Sequence, residues 1–279
     1  MQGKISPIFR LFTQQFEDAK SAFLSLSKRY RGKKSGELEQ KLIFLEIYVD
    51  FLSRIHFKEE NLKFQLFSPF KKIFKGLKKT KHLKMIMKQV EAVKMKDNVV
   101  FNSYTKALEA EKNQVYAEIY DLIVSAPLQM WDEFYNSVFQ YSKGLKPLMI
   151  NTATTQIISE ELEYFNLDNN SKLDTKALKD IYEGIRVIIA LENLRIESGF
   201  NSVFVKEIHD RMSELQKDLL VWYENHLFLQ HLTGFLTDKE NISKKYIDLL
   251  ASLQQNKKTH TAKVEAICRY LFERILELK

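Results

Sequence analysis

Residues 66–86 read Leu66-Phe67-Ser68-Pro69-Phe70-Lys71-Lys72-Ile73-Phe74-Lys75-Gly76-Leu77-Lys78-Lys79-Thr80-Lys81-His82-Leu83-Lys84-Met85-Ile86, and the spacing of their apolar residues decides the fold class. On a helix turning about 100° per residue from Phe70, the residues Leu66, Phe67, Phe70, Ile73, Phe74 and Leu77 gather within about 60° of zero. Lys71, Lys72, Lys75, Lys78, Lys79 and His82 fall between about 80° and 200°, so one face packs and the other is cationic. Beyond Thr80 the phase fails: Lys81 and Lys84 would turn to the buried side, and Leu83, Ile86 and Val90 to the exposed one. This predicts a break near residues 79–82 and a new helix from about Lys81 to Met95.

The same apolar spacings of three and four recur on both sides of this stretch. With only 8 Gly and 4 Pro in 279 residues, they predict an all-α protein. Ile8, Leu11, Phe12 and Phe16 mark a first helix that runs out in the basic link 28–36, where two glycines and a serine act as a stop. Leu38, Leu42, Leu45, Val49 and Leu52 then form a core-facing stripe on a helix starting near Glu37. Further helices are expected at about 104–124, 128–145, 175–198, 201–235, 240–256 and 260–279. Asp174 suits the N-cap of the 175–198 helix and Gly199 its end. The polar, aperiodic segment 166–174 is the best internal boundary. The expected organisation is therefore an N-terminal helix over 1–30, a first helical half over 31–165 and a second over 166–279.

Charge is distributed unevenly. The chain carries +7 overall, yet residues 61–90 hold nine lysines and no acid, and residues 28–34 add five more cations without one. The remainder sums to −7, so the basicity is local. Like charges three and four apart destabilise a helix by about 0.2–0.5 kcal/mol per pair. Ordinary solvated faces mix signs, and this one does not, which points to an anion-binding surface. A second row follows Lys172, Lys176, Lys179 and Arg186, interrupted by Glu183, with Leu178, Ile181, Ile185, Ile188 and Ile189 opposite.

An internal pattern links two regions. Leu66-Phe67, Phe70, Ile73-Phe74 and Leu77 onward match Val203-Phe204, Ile208, Met212, Leu215-Gln216 and Leu219 onward at a constant offset of 142 residues, with Leu77 meeting Leu219 and Ile86 meeting Phe228. The second region resembles the CHAD family, helical domains named for their histidines. Leu215-Gln216-Lys217-Asp218-Leu219-Leu220-Val221-Trp222-Tyr223-Glu224 looks like a variant of the family's Leu-Gln-Asp, Leu-Gly, Trp-His-Asp run, and Ile185-Arg186-Val187 like the end of the basic helix before it. Leu77 to Leu83 occupies the place of the family's Leu-Gly, Arg-Asp-Leu run, with Lys81 where Arg is usual and His82 where Asp is usual. The resemblance covers about residues 30–279. It implies two helical bundles related by pseudo-two-fold symmetry, with basic residues of both halves lining a shared surface, and binding of inorganic polyphosphate. The family's first helix in each half carries His followed by Arg and Lys. Here residues 37–50 offer only Lys41, and residues 175–190 offer Lys176, Lys179 and Arg186 without His. Those three and Lys81 match by position and charge; the Lys71–Lys79 run rests on charge and phase.

Other chemistries lack their residues. Six histidines stand in none of the paired spacings that place metal ligands on one helix face, and the chain has no nucleophile elbow, phosphate-cradling glycine loop or dinucleotide fingerprint. Cys268, the single cysteine, reads as core, and Glu160, Glu161 and Glu163 as acids early in a helix, favouring its dipole. No catalytic residue, metal or cofactor is expected. Residues 1–7 carry no apolar run and no stretch reaches the ~20 apolar residues of a span, so a cytoplasmic protein is expected. The resulting expectation is non-enzymatic binding of inorganic polyphosphate or another phosphate polyanion through Lys71, Lys72, Lys75, Lys78, Lys79, Lys81, His82 and Lys84, with Lys176, Lys179 and Arg186 helping. Nucleic acid or an anionic membrane on the same face is the alternative, although phase places Phe64, Phe67 and Phe70 in the core and out of reach of bases. A structural or partner-binding descendant that has lost the ligand is the third reading.

Overall fold

The computed structural model describes residues 6–30, 32–164 and 173–277. All regular structure among them is helical: α1 (Pro7–Lys28), α2 (Gly32–Ile55), α3 (Leu62–Phe67), a 3-10 turn (Ser68–Phe70), α4 (Lys71–Asp97), α5 (Asn102–Ser125), α6 (Gln129–Ser142), α7 (Pro147–Tyr164), α8 (Thr175–Glu197), α9 (Lys206–Thr237) and α10 (Lys244–Glu277). The chain is all-α, as its apolar spacing predicts. Two compact units emerge. Unit 1 comprises Met1–Thr80, Gln114–Leu162 and Val187–Val203; unit 2 comprises Lys81–Asn113, Glu163–Arg186 and Phe204–Lys279. Each draws on residues from both sides of the polar segment read as a boundary, of which residues 166–172, Lys172 included, lie outside the described residues.

Unit 1 is held by rings. Ser6 caps α1 by accepting from the Phe9 amide, and Pro7 follows where a missing donor is harmless. Phe12, Phe16, Phe23 and Leu26 of α1 and the full Leu38–Leu52 stripe of α2 are buried. Phe12 meets Tyr48 at 4.7 Å, while Phe70, just ahead of α4, meets Trp131 of α6 edge-on at 4.8 Å and Phe134 at 5.0 Å. Such pairs add about 0.5–1.5 kcal/mol beyond the area they bury. Helix α2 begins at Gly32, five residues before the expected start. The Ser35 hydroxyl donates to the Gly32 carbonyl and Lys34 pairs with Glu37, so the residues read as a stop signal close the first turn instead.

Unit 2 centres on α9 packed against α10, with Leu215, Leu219, Trp222, Phe228 and Leu232 facing Leu249, Leu253, Val264 and Cys268 in its core. Two helices were expected here, at 240–256 and 260–279, but α10 is continuous. Its apolar stripe lapses between Leu253 and Val264 because the packed positions hold Lys257, which donates to the Thr175 hydroxyl at 3.0 Å, and Thr261, which accepts from the Trp222 indole at 3.1 Å. Polar side chains with buried partners hid the helical period.

Helix α4 is also continuous, against the break expected at 79–82. Its buried residues are Ile73, Phe74, Leu77, Thr80, Leu83, Ile86 and Val90. From Leu77 to Ile86 they come every third residue, and each such step turns the stripe by about 60°, so the packed face moves through about 180° along an unbroken helix. The unit division falls at Thr80–Lys81, where the face is turning. The same run of threes occurs in α8 at Ile185, Ile188, Leu191 and Leu194, beside the division at Arg186–Val187, and in α9 at Leu219, Trp222, Asn225 and Phe228. Gly76 marks the close approach of α5: a Cβ there would stand 2.7 Å from Ile119 Cγ1.

Candidate anion-binding surface

The cationic face lies where α3, the 3-10 turn and the first turns of α4 meet α2 in unit 1. A groove of about 510 Å³ is lined by Lys63, Phe64, Phe67, Lys71, Phe74, Lys75 and Lys78, with Glu46, Asn61 and Ser68 completing its walls. Phe67 and Phe74 form a buried floor, and the packing that sinks them turns Lys71 and Lys75 outward. Lys71 stands 5.5 Å from the exposed Phe64 ring and Lys78 stands 4.9 Å from the Phe74 ring of the floor, so both cations are attracted to ring faces. Lys72 and Lys79 are exposed on the outer side of the same helix. Among the described residues, no carboxylate lies within ion-pair distance of Lys71, Lys72 or Lys75. Lys63 pairs with Asp50 at 3.2 Å, and Lys78 and Lys79 engage other residues.

The other expected residues belong to unit 2. Lys81, His82 and Lys84 are half-buried and each is engaged; burial draws the Lys84 ammonium below the ordinary lysine range. His82 Nε2 lies 3.2 Å from the Tyr223 hydroxyl, whose ring stacks on Tyr182 at 4.8 Å, and Arg186 sits 5.4 Å from that Tyr182 ring while donating to Glu183 at 2.9 Å. This brings His82 and Arg186 into one polar cluster. Burial, then Glu183 and Tyr182, push the Tyr223 phenol up to about 12, so it stays neutral at physiological pH. Lys176 is exposed; Lys179 is half-buried and close enough to His226 for its charge to act on that ring. The expected residues thus divide between the units.

Two readings are corrected. Phe64 is 61% exposed, not in the core: counted at 100° per residue from Phe70 it falls at about 120°, on the cationic side of the helix and not with Phe67 and Phe70. Glu160, Glu161 and Glu163 lie in the last turns of α7, not early in a helix. Glu160 pairs with Arg54 at 2.7 Å, and burial followed by the Asp50 charge raises the Glu161 carboxyl above its usual range. Lys63 and Glu46 were not singled out, although Lys63 stands inside the nine-lysine segment; the 3-10 turn separates it from the phase that marked the others. Cys268 is fully buried, with its thiol pushed up to about 12 by burial and then by Glu265, which keeps it protonated in the core.

Among the described residues, no group of three or more His, Cys, Asp or Glu side chains is arranged to hold a metal, and no helix is long and apolar enough to cross a membrane. No protein-family model, curated protein or solved structure matches this chain.

Proposed function

We propose that this protein binds linear phosphate-rich polyanions, inorganic polyphosphate foremost, without transforming them, and that the groove of unit 1 is the principal contact. The observation that carries this is the triplet Lys71, Lys72 and Lys75, exposed on successive turns of one helix with no carboxylate at ion-pair distance among the described residues. Lys71 and Lys75, and Lys72 and Lys75, repel each other at helical neighbour spacing, a cost that a polyanion removes. A lysine ammonium is a point charge without bidentate demands, so a flexible phosphate chain can lie along the row in several registers while releasing counterions. The CHAD resemblance, carried by Lys81, Lys176, Lys179 and Arg186, supports the same ligand class.

The test is retention of long-chain polyphosphate by the wild-type protein and by the Lys71→Glu/Lys72→Glu/Lys75→Glu variant. With about six lysines engaged, the log–log salt slope of the wild type is near −4, and reversing three of them brings it to about −2 or abolishes binding. Equal retention and equal slopes would defeat the reading. One observation favours a second ligand: the exposed Phe64 ring beside Lys71 offers a base a stacking platform next to a cation. Phe64→Ala should leave polyphosphate binding intact. A loss of single-stranded RNA binding in that variant, with RNA outcompeting polyphosphate on the wild type, would transfer the assignment to nucleic acid.

A further inference from the structure

The lysines of the unit 1 groove account for its charge but not for its floor. Phe67 and Phe74 meet edge-on there, with ring centroids 5.7 Å apart and planes 88° from parallel, and both are nearly buried. Phe64 rises beside them largely exposed, with the Lys71 ammonium 5.5 Å from its ring. Lysine carries its charge at the end of four methylenes, so Lys71 and Lys75 add hydrocarbon stems to the lining as well as ammonium groups.

A bare phosphate chain is polar along its whole length and leaves that apolar surface without a partner. A cavity of about 510 Å³ lies in the range of small-molecule sites, which combine a mostly apolar lining with a few placed polar groups. Here the placed groups are cations. Lys71 and Lys75 stand four residues apart on one side of α4, with no carboxylate at ion-pair distance among the described residues. Two neighbouring ammonium groups match a phosphate monoester, which carries close to two negative charges at neutral pH, better than a carboxylate, which carries one. Lys63 is already paired with Asp50 at 3.2 Å, and Lys72 lies outside the groove lining.

We propose that the groove of unit 1 takes a free single-chain amphiphile with a phosphate monoester head, the head between Lys71 and Lys75 and the chain along Phe64, Phe67 and Phe74. This rests on the reading of Lys71 and Lys75 as anion-binding and adds a ligand that uses the floor. The two ligand types lean on different residues. A polyanion engages the lysine row, Lys72 included, and gains nothing from the rings. The amphiphile engages the two lysines of the groove and gains with every methylene that leaves water. A fully buried methylene is worth about fourfold in affinity, the equivalent of about 0.8 kcal/mol, so chain length reads out the floor as salt reads out the lysine row.

The probes are hexyl, octyl, decyl and dodecyl phosphate, each kept below its micelle concentration and titrated into the protein by calorimetry at fixed salt. Affinity should rise about two- to fourfold per methylene and level off once the groove is filled. Lys75→Ala should weaken decyl phosphate about tenfold or more, the scale of one charge-assisted hydrogen bond. Phe64→Ala, at an exposed position, should weaken it about tenfold, whereas Phe64→Leu, which keeps apolar area without a ring, should hold it within about twofold of wild type. Lys72→Glu should weaken polyphosphate retention and leave decyl phosphate unchanged. A chain-length dependence in a protein that fails to retain polyphosphate would defeat the polyanion reading and leave this one standing. Retention of polyphosphate, with alkyl phosphates bound no better than inorganic phosphate, would overturn this one and leave the polyanion reading standing. Loss of decyl phosphate in Phe64→Leu as large as in Phe64→Ala would also overturn it, because the site would then be reading a ring. So would sedimentation with phosphatidylcholine vesicles containing phosphatidic acid by a protein that binds none of the free alkyl phosphates, which would assign the face to a membrane surface.

Discussion

The lysines of α4 before Thr80 and those after it belong to one run of sequence and to two environments. Lys71 and Lys75 stand in water on the rim of a groove and Lys72 on the outer side of the same helix, whereas Lys81 and Lys84 are half-buried in unit 2, as are Lys179 on α8 and Lys257 on α10. The difference comes from the apolar residues between them. Phe70, Ile73, Phe74 and Leu77 combine spacings of three and four (Phe70 to Ile73 to Leu77, and Phe70 to Phe74 to Leu77), which hold one face down and the opposite face out. Leu77, Thr80, Leu83 and Ile86 step by threes, which rotates the packed face until it sweeps past the lysines. A charge run is therefore a surface only as long as the stripe beneath it keeps its period. Past that point Lys81 and Lys84 are half-buried, and only from Lys88 onward do the lysines of α4 return to the surface.

The largest expected effect tests what aims the exposed set. Phe70 is fully buried between Trp131 and Phe134, and Phe70→Ala should cost about 3–5 kcal/mol in urea unfolding, with α4 losing its anchor in unit 1. Lys71→Ala, Lys72→Ala and Lys75→Ala should each stay within about 0.5 kcal/mol of wild type, or stabilise it slightly by removing like-charge pairs. If a single lysine substitution in this set proved as damaging as Phe70→Ala, these lysines would be structural and the contrast with Lys84 would disappear.

Next in size is the pH response of unit 2, which reports first the burial of His226 and only then the charges of Lys179 and Lys257. His226 is held near 4 in the folded protein, chiefly by burial, against about 6.5 when unfolded. Between those values the unfolded chain binds more protons, so stability rises with pH from 4 to about 6.5 and is lost as pH falls through that window. The total is about 3 kcal/mol at one site. Chemical denaturation at pH 4.5 and 7 in a chloride buffer measures it, and the His226→Gln variant should show a flatter profile over the same interval. A profile equally steep in that variant would place the acid sensitivity on other groups.

Legibility in the sequence followed the regularity of the period. The α2 stripe and the Phe70–Leu77 face were readable because nothing interrupts their spacing, and the outward direction of Lys71, Lys72, Lys75 and Lys79 followed from it. A rotating stripe looks like a broken helix when judged from one starting residue, which is why α4 was split at 79–82. Lys257 and Thr261 hid the continuity of α10 because their partners, Thr175 and Trp222, are remote in sequence. Phe64 is legible too, since its phase from Phe70 is about 120°, on the cationic side, and grouping it with Phe67 and Phe70 overlooks that count.

The smallest effect probes the hinge of the comparison itself. Thr80 is 1% exposed at the point where the packed face of α4 is turning, and its hydroxyl lies 3.2 Å from the Tyr30 hydroxyl and 3.3 Å from the Gly76 carbonyl. A buried hydroxyl at that position must be paired, and the Tyr30 contact ties the link after α1 to α4 just before the division. Thr80→Val keeps the shape and removes the polar group, so it should cost about 1 kcal/mol, and Tyr30→Phe about the same. If the two hydroxyls act as a pair, the double variant costs little more than either single one, leaving a coupling of about 1 kcal/mol in the cycle. Strict additivity would mean that Thr80 is satisfied by the Gly76 carbonyl alone. The rotation of the stripe would then rest on Leu77, Leu83 and Ile86 without help from a polar tie.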